Sequence, residues 1–249
     1  MNRIRFPALL LIAALCAALS PVWGQAPHST QPEVATMHEE QTLTARQQAI
    51  VAVAAHAAAG DLPALKTALH QGLDAGLTVN DGKEVLVQLY AYAGFPRSLN
   101  ALGVLMAVVE DRQQQGLRDD AGVTPRRPIP QGDALLAAGT ANQTRLVGSP
   151  VQGALFEFAP AIDEYLKTHL FGDIFARDNL SWADREIATI AMLAAIDGAG
   201  PQLQAHIGMG MNTGLTPAQL HQLADVLAEH VNAGTAQRTR AALAQHTQR

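Results

Sequence analysis

Three polar side chains, His206, Arg185 and Glu186, have the chemical types needed for general acid–base catalysis. Histidine donates or accepts a proton near neutral pH because its ordinary pKa lies there. A protonated His206 could deliver a proton to a carbon skeleton, and Arg185 could stabilise the enolate that develops as a carboxylate is lost. Glu186 would orient one of the two. These residues favour acid–base chemistry on a small carboxylated molecule, with no cofactor.

Each of these residues also has a purely structural interpretation. A helix histidine can be satisfied by a neighbouring carbonyl, a glutamate in a first turn suits the helix dipole, and an arginine is often a solvated or paired surface charge. The segment around His206, QLQAHIGMGMNTGLT, reads as a helix that carries Gly208 and Gly210. Each interior glycine costs a helix about 1 kcal/mol relative to alanine. The two glycines would make room for a ligand or for an abutting helix.

Three aromatic side chains are candidates for substrate binding: Tyr90, Tyr92 and Trp182. Residues two apart on a helix face different directions, so only one of the two tyrosines is expected to line a site. Phe95 and Pro96 are expected to close the following turn and pack.

The sequence predicts no metal site. Cys16 is the only cysteine and lies near the amino terminus. His206, Met209 and Met211 suggest a soft copper site, but Met211 is five residues from His206 and would point elsewhere on a helix. Core methionines are the better interpretation. The remaining histidines form no zinc-binding motif.

Residues 1–24 have the layout of a secretory signal peptide, with a basic start, an apolar run and small residues before the expected cleavage. Residues 25–40 are polar and predict a flexible leader. Lipidation of Cys16 is the weaker interpretation, since Leu15 precedes it where a small residue is required. The protein is therefore expected to be periplasmic or secreted. No later segment is expected to span a membrane.

Alanine and leucine dominate the remaining chain and β-branched runs are few, which predicts an all-α fold. The formal net charge is −5, and removal of the basic signal peptide, residues 1–24, makes it more negative. An acidic chain with few clustered cations is a poor candidate for nucleic acid binding.

An internal repeat divides the chain. LTARQQAIVAVA (residues 43–54) matches LSWADREIATIA (180–191), and LPALKTALHQGLDAGLT (62–78) matches GPQLQAHIGMGMNTGLT (200–216) without a gap. Capping-box spacings recur in equivalent places, at Thr44, Thr78, Ser181 and Thr216. Gly76 and Gly214 each precede Leu-Thr and are expected to adopt left-handed conformations. The pattern predicts two related helical units.

These units are expected to span residues 41–117 and 151–249. Residues 118–150 between them are rich in proline, glycine and polar residues, which predicts a linker. One short helix near Asp133 to Gly139 is expected within it.

FAPAIDEYLKTHLFGDIFARDNLSWADREIATIAMLAAI (158–196), followed by the His206 segment, resembles the carboxymuconolactone decarboxylase family, and LYAYAGFPRSLNAL (89–102) resembles the family's usual ending. The resemblance implies compact helical domains assembled as trimers or hexamers. A chain with two such units would then form a homotrimer that mimics a hexamer and acts on a small molecule.

The family also contains thiol peroxidases, which place a Cys-x-x-Cys pair before the histidine. Those positions here are Ala199 and Gln202, so the resemblance excludes thiol peroxidase activity. The decarboxylase branch keeps a histidine at His206 and the Arg185–Glu186 pair. The first unit has Ala68 in place of His206 and Gln48-Ala49 in place of Arg185-Glu186. The resemblance thus implies one composite site per chain, with the second unit's helices meeting the YAGFP segment of a first unit.

The leading hypothesis is a secreted, cofactor-free enzyme of this type, which decarboxylates, isomerises or hydrolyses a small carboxylated lactone or related acid. The alternative is a non-catalytic helical binding or assembly protein that retained the fold. An enzyme predicts that His206 lies in a cavity, whereas an assembly protein predicts a histidine that is paired and buried or plainly solvated.

Overall fold

The computed structural model describes residues 42–247, so the predicted signal peptide, the leader and Cys16 lie outside the described residues. Between residues 42 and 247 the fold is all-α, with no strand. The α-helices are α1 (Ala45–Ala59), α2 (Leu62–Asp74), α3 (Val79–Gln88), α4 (Tyr90–Gln114), α5 (Asp133–Val147), α6 (Ala154–Phe158), α7 (Pro160–Tyr165), α8 (Trp182–Ala195), α9 (Gly200–Asn212), α10 (Pro217–His230) and α11 (Ala233–Thr247). A π-helix, Leu166–Ile174, lies between α7 and α8.

The predicted helix caps are present. Complete capping boxes begin three helices, at Thr44, Thr78 and Thr216. Ser181 forms half of one: its hydroxyl accepts from the Asp184 amide, but the Asp184 carboxylate binds Arg46 instead of reaching back. Gly76 and Gly214 have φ values of 90° and 101°, the left-handed conformation expected before each Leu-Thr. The repeat read from the caps is therefore a repeat in structure.

The two units share one hydrophobic core. Helix α1 of the first unit and α8 of the second form the most extensive helix pair of the described chain. Their apolar side chains, such as Ile50 and Ile190, are fully buried in one continuous cluster. Each unit then packs its own second helix, α2 or α9, against this central pair. Burial of a shared apolar core ties the two units into one body.

The linker contains a longer helix than expected, because α5 continues past Gly139 to Val147. Helix α5 packs against the π-helix, and the two approach so closely that a Cβ at Gly139 would overlap the Lys167 carbonyl oxygen. Glycine at position 139 therefore serves the contact and does not end the helix. A smaller apolar cluster forms around this contact, from Leu146, Leu170, Phe171, Ile174 and Phe175.

Helix α4 is long and apolar enough, by length and composition, to cross a membrane, contrary to the expectation that no segment after the leader would be. It is kinked at Gly94, which has φ 80°, and packs against α2 and α3. Its buried Arg112 pairs with Asp74 and Asp119, which anchors the helix to the first unit. Phe95 and Met106 are nevertheless 62% and 71% exposed.

A buried ionic cluster also joins the units, and its centre is Glu84 of α3. The carboxylate accepts from Arg177 at 2.6 and 3.0 Å, from Arg185 at 2.8 Å and from Asn179 at 3.1 Å, all in the second unit. Burial raises the pKa of Glu84, but the bonds from Arg177 and Arg185 outweigh burial and leave the pKa below its usual value.

We expect Glu84→Gln to lower the free energy of unfolding by about 3 kcal/mol at neutral pH, because it leaves buried arginine charge without its counter-ion. The stabilisation from a depressed carboxyl pKa is present above the ordinary pKa of 4.5 and is lost as pH falls through the folded-state value. The difference between the wild type and the variant should therefore shrink as pH falls below about 4.5. Urea denaturation at a series of pH values measures this difference in the free energy of unfolding.

Asp111→Asn is the matched control, since it removes a carboxylate from the exposed ion pair with Lys66. This change should have a much smaller effect at neutral pH. Equal losses in the two variants, or a Glu84→Gln deficit that stays constant into acid, would contradict a stabilising role for the buried cluster.

Candidate functional site

The structure brings two of the three predicted catalytic residues into direct contact. His206 Nδ1 of α9 lies 2.8 Å from Glu186 Oε2 of α8. Glu186 is fully buried and His206 is 6% exposed. Gly210 lets the helices approach, because a Cβ there would lie 3.2 Å from Ile190 Cδ1 and 3.9 Å from Glu186 Cβ. The Glu186–His206 pair, called the dyad below, thus lies in the contact between α8 and α9.

The hydrogen bond defines the protonation of the dyad. A carboxylate only accepts, so Nδ1 of His206 carries the proton in the bond, and Nε2 of the neutral ring is left as an acceptor. The other carboxylate oxygen, Glu186 Oε1, is buried and has no hydrogen-bond partner in the described chain. An unsatisfied buried oxygen costs about 1–3 kcal/mol. Buried polar atoms without a partner often occur at functional sites, where a ligand or a proton can satisfy them.

Tyr92 of the first unit contacts the dyad within the same chain. Its ring meets the His206 ring edge-on, with centroids 5.7 Å apart and an interplanar angle of 78°. Its hydroxyl accepts a hydrogen bond from Thr189 Oγ1 at 3.2 Å. Burial, with the Glu186 charge, raises the pKa of Tyr92, so the phenol keeps its proton. The hydroxyl is therefore available as a donor beside His206.

A chain of hydrogen bonds, which the sequence did not reveal, supports Tyr92. Gln88 Nε2 donates to Thr189 Oγ1 at 2.8 Å and to the Arg185 carbonyl at 3.0 Å. Thr189 lies one helical turn after Glu186, and Gln88 lies one turn before Tyr92. That spacing is the only feature of the sequence that could have marked Gln88 and Thr189 as residues of the site. Neither residue type is distinctive in a helix, so only the side-chain hydrogen bonds between α3 and α8 identify them.

Arg185 is directed to the buried ionic cluster. Its guanidinium donates to Glu84 at 2.8 Å and to Gln88 Oε1 at 3.1 Å, and it is fully buried. Burial lowers the pKa of Arg185, while the Glu84 charge opposes that shift. These bonds hold the backbone from which Glu186 projects. A direct role for Arg185 in stabilising an enolate stays a prediction.

Tyr90 and Trp182 pack against the smaller apolar cluster, together with Tyr92 and Met209. Tyr90 stacks on Phe95 with ring centroids 4.7 Å apart, so exposed Phe95 covers a tyrosine. The Trp182 indole N–H donates to the Phe175 carbonyl at 2.9 Å. Both residues therefore border the same apolar cluster as Tyr92, and their role in substrate binding stays a prediction.

The two glycines near His206 are explained by helix packing. A Cβ at Gly208 would lie 2.9 Å from the His246 ring of α11, and Gly210 faces α8 as described above. Close packing was one of the two interpretations of these glycines, and the structure supports it. Across residues 42–247, no group of three or more His, Cys, Asp or Glu side chains is placed to hold a metal ion.

Comparison with known proteins gives one clear result. The carboxymuconolactone decarboxylase family matches residues 33–107 and 160–245, which are the two units without most of the linker. No curated protein matches the sequence. The match covers more than half of the chain and falls on the helices that carry Tyr92, Glu186 and His206. The chain therefore belongs to the carboxymuconolactone decarboxylase family.

Proposed function

We propose that the protein is a secreted or periplasmic, cofactor-free enzyme that acts on a small carboxylated lactone or a related acid through the dyad. The observation that carries the proposal is the buried Glu186–His206 hydrogen bond, with Glu186 Oε1 unpaired among the described residues and the Tyr92 ring against His206. Acid–base chemistry requires a group that carries the proton, which is His206, and a carboxylate that fixes its tautomer, which is Glu186. It also uses a neutral hydrogen-bond donor, which is Tyr92.

In the proposed decarboxylation, the bond to the substrate carboxylate breaks and carbon dioxide leaves. The electron pair of that bond enters the conjugated system and forms an enolate. The Tyr92 hydroxyl donates a hydrogen bond to the enolate oxygen, which stabilises the charge as it develops. His206, which takes up a proton at Nε2 from water before the substrate reacts, then transfers that proton to carbon at the far end of the conjugated system and returns to its neutral form. Glu186 stabilises the imidazolium before the transfer.

The enclosure of the dyad favours a second candidate. His206 is 6% exposed, so a substrate must displace neighbouring side chains to reach Nε2. A buried, paired histidine was the expectation for a non-catalytic binding or assembly protein. In that candidate the dyad is a structural pair that fixes α9 on α8. The two candidates differ in whether removal of His206 abolishes turnover or only lowers stability.

Turnover by the dyad is tested with carboxymuconolactone and a panel of related lactones, followed by ultraviolet absorbance. We expect His206→Ala and Glu186→Gln each to lower kcat/KM by about 100-fold or more, the usual contribution of a general acid–base group. His221→Ala, the same change at an exposed helix histidine, should leave turnover unaffected.

Circular dichroism would establish that each variant is folded. Equal turnover by the wild type and by His206→Ala would remove His206 from the mechanism. A folded wild type that turns over none of the lactones would favour the non-catalytic candidate. Release of a ring-opened or isomerised product in place of carbon dioxide would redefine the reaction on the same dyad.

The proposal includes a homotrimer, supported by apolar side chains left exposed on α4. Phe95, Leu99 and Met106 are 62–71% exposed and recur at helical spacing along one side of the helix. A contiguous exposed apolar surface on a soluble protein usually marks an interface. A second apolar surface, on α6 and α7, includes Phe158 at 87% exposure. Two distinct surfaces on one chain suit a closed ring of copies.

We expect Met106→Glu to shift the protein from trimer to monomer, because the interface would have to bury an unpaired charge. Sedimentation velocity measures the change. Gln113→Glu places the same charge at an exposed polar position of α4 and should leave the trimer intact. A monomeric wild type, or a Met106→Glu protein that remains a trimer, would refute this interface. Wild-type protein that co-sediments with lipid vesicles would assign the α4 surface to a membrane.

A further inference from the structure

The internal repeat relates the dyad to a second location, on the first unit. The ungapped register that pairs Ala68 with His206 also pairs His230 with Tyr92, and Ala49 stands where Glu186 does. In the structure all three counterparts, Ala49, Ala68 and His230, line one cavity of about 190 Å³. Glu186 and His206 fill the second unit's site. Alanine stands at both equivalent positions of the first unit, and a cavity occupies the space.

The wall of the cavity is largely apolar where the dyad is polar. Ala49, Ala52, Ala68 and Gly72 contribute methyl groups or backbone, and Gln48, Gln71 and His230 also line it. Apolar cavities of about 150 Å³ in proteins bind single aromatic rings such as benzene. The space left by the lost side chains is therefore large enough for one ring.

A buried histidine lines the adjoining cavity of about 290 Å³, which shares Ala68 and His230 with the first. His56 is 8% exposed, and its Nε2 lies 2.9 Å from the carbonyl oxygen of His230. A carbonyl only accepts, so Nε2 carries the proton of the neutral ring and Nδ1 holds a lone pair. No hydrogen bond to Nδ1 occurs within the described part of the chain. This nitrogen is a ready acceptor for a hydroxyl.

We propose that this pair of cavities is a second binding site, which takes a small aromatic or similarly apolar molecule that carries one hydroxyl group. The ring occupies the space between Ala49 and Ala68, and the hydroxyl donates to His56 Nδ1. His230 lies at the opening of this site, where the repeat places the counterpart of Tyr92. The site involves no residue of the dyad and does not depend on turnover there.

Phenol is the probe, and the imidazole signals of His56 and His230 in ¹⁵N-detected NMR spectra are the readout. We expect saturable shifts of both rings on titration with phenol. Toluene, which fills the same space without the hydroxyl, should bind about five-fold more weakly, the value of one hydrogen bond. His206→Ala should respond as the wild type does, since the dyad lies outside the site.

Ala49→Glu combined with Ala68→His fills the cavity with the side chains of the other unit and should abolish the phenol response. Ala68→Leu is a second filling variant for use if the double variant does not fold by circular dichroism. A response that persists in a folded filling variant would overturn the proposal, as would the absence of saturable shifts in the wild type. Equal binding of phenol and toluene would overturn the role of His56.

Discussion

Glu84 carries a negative charge at a position that water barely reaches, and the arrangement of both units follows from that constraint. A buried carboxylate is tolerated only when cations and donors surround it. Here Arg177, Arg185 and Asn179 of the second unit surround a residue of the first. The cluster fixes the orientation of α8 relative to α3. Glu186 follows Arg185 directly in α8, so the position of the dyad carboxylate depends on this cluster.

Duplication has produced two different environments from one arrangement of helices. In the second unit, Glu186 and His206 face each other and fill the space between α8 and α9. In the first unit, Ala49 and Ala68 occupy the equivalent places, and the space remains open. The apolar α1–α8 core holds the backbone in both cases. Either location could therefore diverge without unfolding the other.

Local sequence signals predicted the helices well, because caps and glycines act within one turn. Thr44, Thr78 and Thr216 form the expected boxes, and Gly76 has the expected left-handed conformation. The length of helix α5 was underestimated, because a glycine such as Gly139 often marks a helix end. Here Gly139 instead allows close contact with Lys167, a residue distant in sequence. A single sequence carries no signal for such a contact.

The candidate site was predicted in part for the same reason. His206 and Glu186 are unusual enough in type and setting to be selected from the sequence, and the structure pairs them. Glu84, Gln88 and Thr189 are ordinary helix residues whose importance arises only when α3 meets α8. Arg185 was expected to serve chemistry directly; its bonds to Glu84 make it part of the buried ionic cluster, and the direct chemical role stays a prediction.

The position of Tyr92 on the first unit and His206 on the second has a consequence for dilute conditions. Proteins whose sites form between separate subunits lose them on dilution, because assembly depends on concentration. Covalent connection converts that encounter into an intramolecular one, with an effective concentration set by the chain between the partners. The residues that join the units here are themselves partly folded as α5, which limits how far the halves can separate. The chain can thus keep its dyad and its tyrosine together at any concentration.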